Sequence, residues 1–183
     1  MSTIRIDETL FYNKPAEGNR LDKEIAVYDI LEKLEIPYIG VDHDPAYTIE
    51  DCLKIEAVLG TEICKNLFLR NGPKTEFYLL LMSGNKKFIT KNVSKQIGSS
   101  RLSFAEAEYM EKYLNITPGA VSILGLMNDK EYCVRLLMDK DIYESEYIGC
   151  HPCVNTSSLK IKTSDILQKF LPYTGHQPFI VEL

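Results

Sequence analysis

The sequence predicts a mixed α+β fold, strands and helices unevenly interleaved around one sheet system. Three observations carry the α+β class. Seven or eight strand-like runs and four or five helical stretches are unevenly interleaved, so the regular βαβ alternation of a doubly wound sheet is missing. No Gly-rich phosphate loop of the Walker or dinucleotide type is present, which disfavours nucleotide hydrolysis and nicotinamide chemistry. The 183 residues are 45% hydrophobic and 26% charged, enough for one sizeable core and the composition of a globular chain.

Residues 1–20, with Asn13, Pro15 and Gly18, show little periodicity and read as an extended N-terminal arm; residues 21–183 read as a single domain. Apolar residues from Leu21 to Leu34 fall at helical spacing, with Asn19 as the expected cap. Pro37 ends that helix, and residues 38–43 read as a strand. Thr48 and Asp51 form an acidic version of a capping box for a helix over 49–59, closed by Gly60. Residues 63–69 and 77–82 read as an antiparallel hairpin about Asn71-Gly72-Pro73-Lys74. Phe88-Ile89 is expected as a strand, 92–97 as a short basic helix, and 104–114 as a helix capped by Ser103 with Glu106 at the third position. Strands are expected over 120–126, 132–138, 142–148, 158–161 and 178–183, and a helix over 165–171 capped by Thr163 or Ser164.

No apolar run reaches the roughly 18 residues of a membrane span, and residues 1–10 lack a signal-peptide core, so the expected location is the cytoplasm. Five scattered cysteines favour reduced thiols over a disulfide framework. The net charge of −5 argues against a general nucleic-acid coat. Even so, Lys86, Lys87, Lys91, Lys95 and Arg101 lie in a stretch free of Asp and Glu, a pattern that fits either a solvated face or contact with phosphates.

The stretch Gly149-Cys150-His151-Pro152-Cys153-Val154-Asn155-Thr156 carries the ingredients of a polar site wall: a glycine for close approach, an imidazole and an amide. Its CxxC lacks the strand-to-helix context of a thioredoxin-like site, and one such pair with one histidine lacks a second pair of zinc ligands. Lys65 interrupts an apolar strand, so it either snorkels outward or points into a polar cavity. His43 ends a strand and His176 lies in a turn, where a structural role is the default.

Four motifs then coincide in order: His43-Asp44-Pro45-Ala46-Tyr47-Thr48; Lys65-Asn66-Leu67-Phe68-Leu69; Pro118-Gly119-Ala120-Val121-Ser122; and Gly149-x-His151-Pro152-x-x-Asn155. In these the chain resembles the free-standing aminoacyl-tRNA deacylases of the YbaK/ProX group, related to the editing insertion of bacterial prolyl-tRNA synthetase, and within them the ProX branch. The resemblance spans about residues 21–179 and implies a mixed β-sheet curled into a partly open barrel flanked by helices, with a cleft between the lysine strand and the Gly-His-Pro loop. It implies no metal, no cofactor and no covalent intermediate. It assigns Lys65, His151 and Gly149 to catalysis, Asn66, Asn155, Thr48 and Pro152 to substrate contact, and the aminoacylated end of tRNA as partner; the charge pattern makes Lys86, Lys87, Lys91, Lys95 and Arg101 the candidate tRNA contacts. Prolyl-tRNA synthetase is a further candidate partner. The expected reaction is removal of alanine from proline tRNA; a non-catalytic module that binds an aminoacyl end is the competing reading.

Overall fold

The computed structural model describes residues 4–183. Residues 1–3 of the expected arm lie outside them. The elements run α1 (Asp22–Lys33), β1 (Tyr38–Asp42), α2 (Ile49–Leu59), β2 (Lys65–Arg70), β3 (Phe77–Met82), α3 (Thr90–Ile97), β4 (Ser103–Phe104) and α4 (Ala107–Leu114). A 3₁₀ turn (Ile123–Asn128) leads to β5 (Val134–Asp139), α5 (Lys140–Glu144), β6 (Tyr147–Cys150) and β7 (Ser157–Lys162). Thr163–Asp165 (α6), a π-helical Ile166–Phe170 and Leu171–Thr174 (α7) form one helical stretch before β8 (Pro178–Val181). Pro172, which has no N–H to donate, falls in that stretch and gives a reason for its irregular ladder.

The strands form two sheets, β1-β7-β6, all antiparallel, and β4-β2-β3-β5-β8, in which β3-β5 and β5-β8 are parallel. A single parallel bridge, Ile63 to Gly149, joins the start of β2 to β6 and so links the sheets. The result is a mixed sheet system flanked by helices and not a closed barrel. Every residue of β3 is buried, because β3 is central in its sheet and covered on both faces. The largest core cluster packs Phe68, Phe77, Leu79 and Leu81 of the sheet against Leu114, Ile123 and Leu124.

The hairpin turns at Asn71, whose side chain accepts from Thr75 and Glu76 N–H groups. α2 starts on the expected box: Asp51 N–H donates to Thr48 Oγ1 at 3.1 Å, and Thr48 N–H donates to the Asp51 carboxylate at 3.1 Å. Gly60 and Gly98 end their helices in the left-handed conformation.

Five local readings are corrected. Asn19 caps nothing; α1 begins after Leu21 without a side-chain cap, and the neighbouring Arg20 is what ties the chain down, to Glu24 and Asp42. Phe88-Ile89 is the entry to α3 and not a strand. Ser103-Phe104 pairs with Arg70 and Leu69 as a short strand, so the helix starts only at Ala107. Glu106 cannot serve a capping box there because its carboxylate is held by Arg70 (2.9 Å) and Lys74 (2.7 Å), partners distant in sequence. The 120–126 run is a 3₁₀ turn opened by the Ser122 hydroxyl accepting from Leu124 N–H. It is buried nearly throughout, and a short fully buried run has no periodicity to separate turn from strand. The 142–148 run is split: Ser145 Oγ donates to the Ile142 carbonyl at 2.7 Å, ending α5 before β6 begins.

The N-terminal arm runs extended beside β1, with bridges from Ile6 to His43 and from Phe11 to Gly40. The Phe11 ring occupies the space a side chain at Gly40 would need, and packs edge-on against Tyr28 at 5.9 Å.

Candidate functional site

A cleft of about 480 Å³ opens where the two sheets meet. Its walls are the start of β2 with Lys65 and Asn66, the segment after β3, the loop into α2 with Thr48, the Gly119–Val121 turn, and His151. Lys65 and His151, more than eighty residues apart in the chain, thus face one cavity. The junction is built by backbone: Cys64 N–H donates to the Gly149 carbonyl at 2.9 Å, beside the Ile63–Gly149 bridge.

Gly149 itself does not line the cleft. A Cβ there would fall on the Glu62 carbonyl, so the position requires glycine for close strand approach. That approach holds β6 against β2. Pro152 is buried and likewise absent from the lining. Asn155 is likewise absent from the lining: its Nδ2 donates to the Ala46 carbonyl at 3.0 Å and its Oδ1 accepts from Ala46 N–H at 3.3 Å. It pins the loop that leads to Thr48 and α2. Both amide contacts are tertiary, which is why sequence pattern reads the residue as a ligand.

Lys65 is exposed, and its Nζ donates to the Gly84 carbonyl at 3.3 Å. Asn66 Nδ2 donates to the Cys64 carbonyl at 2.8 Å, while its Oδ1 is buried with no partner among the described residues. Of all the cleft groups His151 is the most constrained. Its Nδ1 lies 2.8 Å from the Ser157 carbonyl, which can only accept, so Nδ1 carries the proton. Nε2 is left as an acceptor at the cleft wall, with no hydrogen-bond partner among the described residues. Burial lowers the His151 pKa, with a smaller opposing effect of the Ser157 bond, so the ring is neutral near pH 7.

A second histidine, which sequence reasoning left as structural, completes the arrangement. His43 Nδ1 donates to the Asp44 carbonyl at 2.8 Å, so its Nε2 accepts from Ser158 Oγ at 2.9 Å. That hydroxyl also stands 3.3 Å from His151 Nδ1, and the two rings are 6.1 Å apart. His43 belongs to the His-x-Pro-Ala-x-Thr motif, and Ser158 was missed because nothing in its local sequence distinguishes it from other buried strand serines. Burial lowers the His43 pKa too.

The CxxC thiols, Cys150 and Cys153, are buried and pushed up to about 12 by that burial, an environment that suppresses the thiolate needed for exchange. Among the expected tRNA-facing cations, Lys87, Lys91, Lys95 and Arg101 are exposed and form no ion pair among the described residues. Lys91 and Arg101 border a shallow groove with Phe88 and Ile89, whose lining shares no residue with the cleft. Lys86 departs from the set: its ammonium lies 3.0 Å from the buried Asp139 carboxylate and 2.7 Å from Asp141, so it serves the fold.

A family model described as the aminoacyl-tRNA editing domain matches residues 43–169, from the first cleft motif to the helix after β7. The chain belongs to the aminoacyl-tRNA editing domain family. It is 35% identical over 163 residues to the prolyl-tRNA editing protein ProX of Acetoanaerobium sticklandii, covering 89% of this chain and 99% of that protein. It is 27% identical over 155 residues to prolyl-tRNA synthetase associated domain-containing protein 1 of Danio rerio, covering 84% and 83% of the two chains. In fold it is similar to a crystal structure provisionally assigned as a trans-editing enzyme for prolyl tRNA synthetase, with a TM-score of 0.64 at 15% identity over 89% of this chain and 98% of that one. The activity class of this editing domain is aminoacyl-tRNA deacylation, hydrolysis of the ester between an amino acid and the terminal ribose, with aminoacyl-tRNA as substrate. No helix among the described residues is long and apolar enough to cross a membrane.

Proposed function

We propose that this editing domain acts in trans on Ala-tRNA(Pro), cleaving the mischarged alanine by attack of water within the cleft. The observation that carries the reading is the convergence of Lys65 and the neutral acceptor Nε2 of His151 on one cavity. In the cytoplasmic setting expected for tRNA, residues 21–183 act as one domain, and prolyl-tRNA synthetase, the source of the error, is the candidate partner. Lys65, exposed at the mouth, meets the phosphate and ribose of the terminal adenosine. Asn66 Oδ1, buried and unpaired, offers an acceptor to a substrate donor, and Thr48 borders the same space.

In the step itself the water oxygen bonds to the ester carbonyl carbon, the bond from that carbon to the ribose oxygen breaks, and the proton the water loses passes to the departing oxygen, the free ribose hydroxyl of the substrate assisting by contact with the water or the carbonyl. His151 Nε2 orients the attacking water by accepting one of its hydrogens; a neutral imidazole is the form able to do so. The ester is already activated, so a 10³- to 10⁴-fold acceleration asks for only about 4 to 5.5 kcal/mol. Positioning and hydrogen bonding are of that order. Selectivity follows from size: one methylene is worth about 1 to 3 kcal/mol in a synthetase pocket, so a second sieve that admits alanine and rejects the proline ring is useful.

The test is a deacylation panel across mischarged tRNAs. Ala-tRNA(Pro) is expected to turn over many times per protein, Pro-tRNA(Pro) to survive, and Lys65→Ala and His151→Ala to lose activity. Equal rates on the two substrates would reject the editing role. Stoichiometric binding without turnover would favour the non-catalytic module.

A further inference from the structure

We infer that Glu56 binds the α-ammonium of the aminoacyl group, which makes a free amine a requirement of the substrate. This rests on the deacylase reading of the cleft and adds to it the part of the substrate that its cation and imidazole leave unrecognised.

The cleft is lined by one cation, Lys65, and two carboxylates, Glu56 and Glu62. Glu62 already carries two donors: its Oε1 accepts from Ser83 Oγ at 2.6 Å and from Gly84 N–H at 2.7 Å, fixing the wall after β3. Glu56 carries one. Its Oε1 accepts from Ile63 N–H at 2.9 Å, and its other oxygen meets no donor among the described residues. No ion pair compensates it, although it is half-buried, and it sits in the last turn of α2, where the helix dipole disfavours an anion. Burial first, and the charge of Glu62 after it, raise its pKa, as expected of a carboxylate waiting for a cation.

Its anchor sets its place. Ile63 forms the bridge to Gly149, two residues before His151, and stands two residues before Lys65. The Glu56 carboxylate is therefore tied to the seam between the strand bearing the ammonium and the strand leading to the imidazole. An aminoacyl ester spanning those two groups presents its α-ammonium in the region between them. A carboxylate there forms a charge-assisted hydrogen bond with the amine, which an N-acylated ester cannot offer. The substrate class is accordingly tRNA esters of unblocked amino acids; N-formylated, N-acetylated and peptidyl esters are excluded.

The experiment compares Ala-tRNA with N-acetyl-Ala-tRNA, each rate divided by its own spontaneous hydrolysis, in the unaltered protein and in Glu56→Gln. The unaltered protein is expected to favour the free amine by roughly 10- to 100-fold. Glu56→Gln should lose that preference, mainly through KM on Ala-tRNA, with little change on the blocked ester. The same preference should appear without any variant, as stronger inhibition of the unaltered protein by 3′-alanylamino-adenosine than by its N-acetyl form. A preference equal in both proteins, or equal inhibition by the two analogues, overturns the inference while leaving editing intact. Absence of turnover on every charged tRNA overturns the deacylase reading and this inference with it.

Discussion

Asn155→Ala separates a residue that shapes the cleft from one that touches substrate. The side chain makes two hydrogen bonds to the Ala46 backbone, at 3.0 and 3.3 Å, across 109 positions of sequence. Each such bond nets about 0.5 to 1.5 kcal/mol, and half-buried Ala46 lets water replace part of the loss, so the expected cost is roughly 1 to 2 kcal/mol. For a chain of this length that lowers Tm by roughly 2 to 8 °C. The freed loop carries Thr48, whose box starts α2, and α2 carries Cys52 and Glu56 into the cleft. Hydrogen exchange should therefore accelerate over residues 46–59 and not in β3. If loop order limits binding, kcat/KM falls by at most about 5- to 30-fold, the same free energy read as a population. Asn155→Asp, which keeps one acceptor but sets a carboxylate oxygen against the Ala46 carbonyl, should not rescue. A large loss of activity with unchanged Tm and unchanged exchange would refute this reasoning and return Asn155 to the substrate.

Gly149→Ala should destabilise by roughly 1 to 3 kcal/mol, the usual cost of overpacking, because the added methyl falls on the Glu62 backbone; a denaturant midpoint equal to that of the parent would contradict the seam described above. Burial holds the pKa of both His43 and His151 below the ordinary 6.5, so the unfolded chain binds more protons between the lowered values and 6.5. Their contribution to stability is complete above about 6.5 and is lost as pH falls through the folded values; Tm should drop between pH 7.5 and pH 5.5, less so in His43→Asn, and a flat profile would count against it. Lys91→Glu with Lys95→Glu should weaken tRNA binding and flatten its salt dependence at unchanged Tm. Lys86→Ala should instead cost roughly 2 to 3 kcal/mol by stranding buried Asp139, less than a fully enclosed pair because its ammonium is partly hydrated; thermal melts distinguish the two outcomes. Cys150→Ser with Cys153→Ser should retain deacylation, and both thiols should resist modification in the folded protein, whereas loss of turnover would restore the thiol reading.

Local chemistry in the sequence was enough for the Thr48 box, the Asn71 turn and the glycine ends of α2 and α3, since each depends on neighbours a few residues away; the editing domain was legible as a resemblance, through four motifs in order. Lys65 was legible as a polar group in an apolar strand, and His151 as an imidazole in a turn. What only the tertiary structure decided were the groups defined by distant partners: Glu106 drawn from a cap to Arg70, Lys86 claimed by Asp139, Gly149 pressed against the Glu62 backbone and Asn155 bonded to Ala46. The buried 120–126 run escaped for a different reason, because full burial erases the alternation that separates a strand from a tight helical turn. The tautomer of His151 belongs with the tertiary results as well: a proton's position on an imidazole is set by which neighbour can only accept, and that neighbour, the Ser157 carbonyl, is fixed by the pairing of β6 with β7.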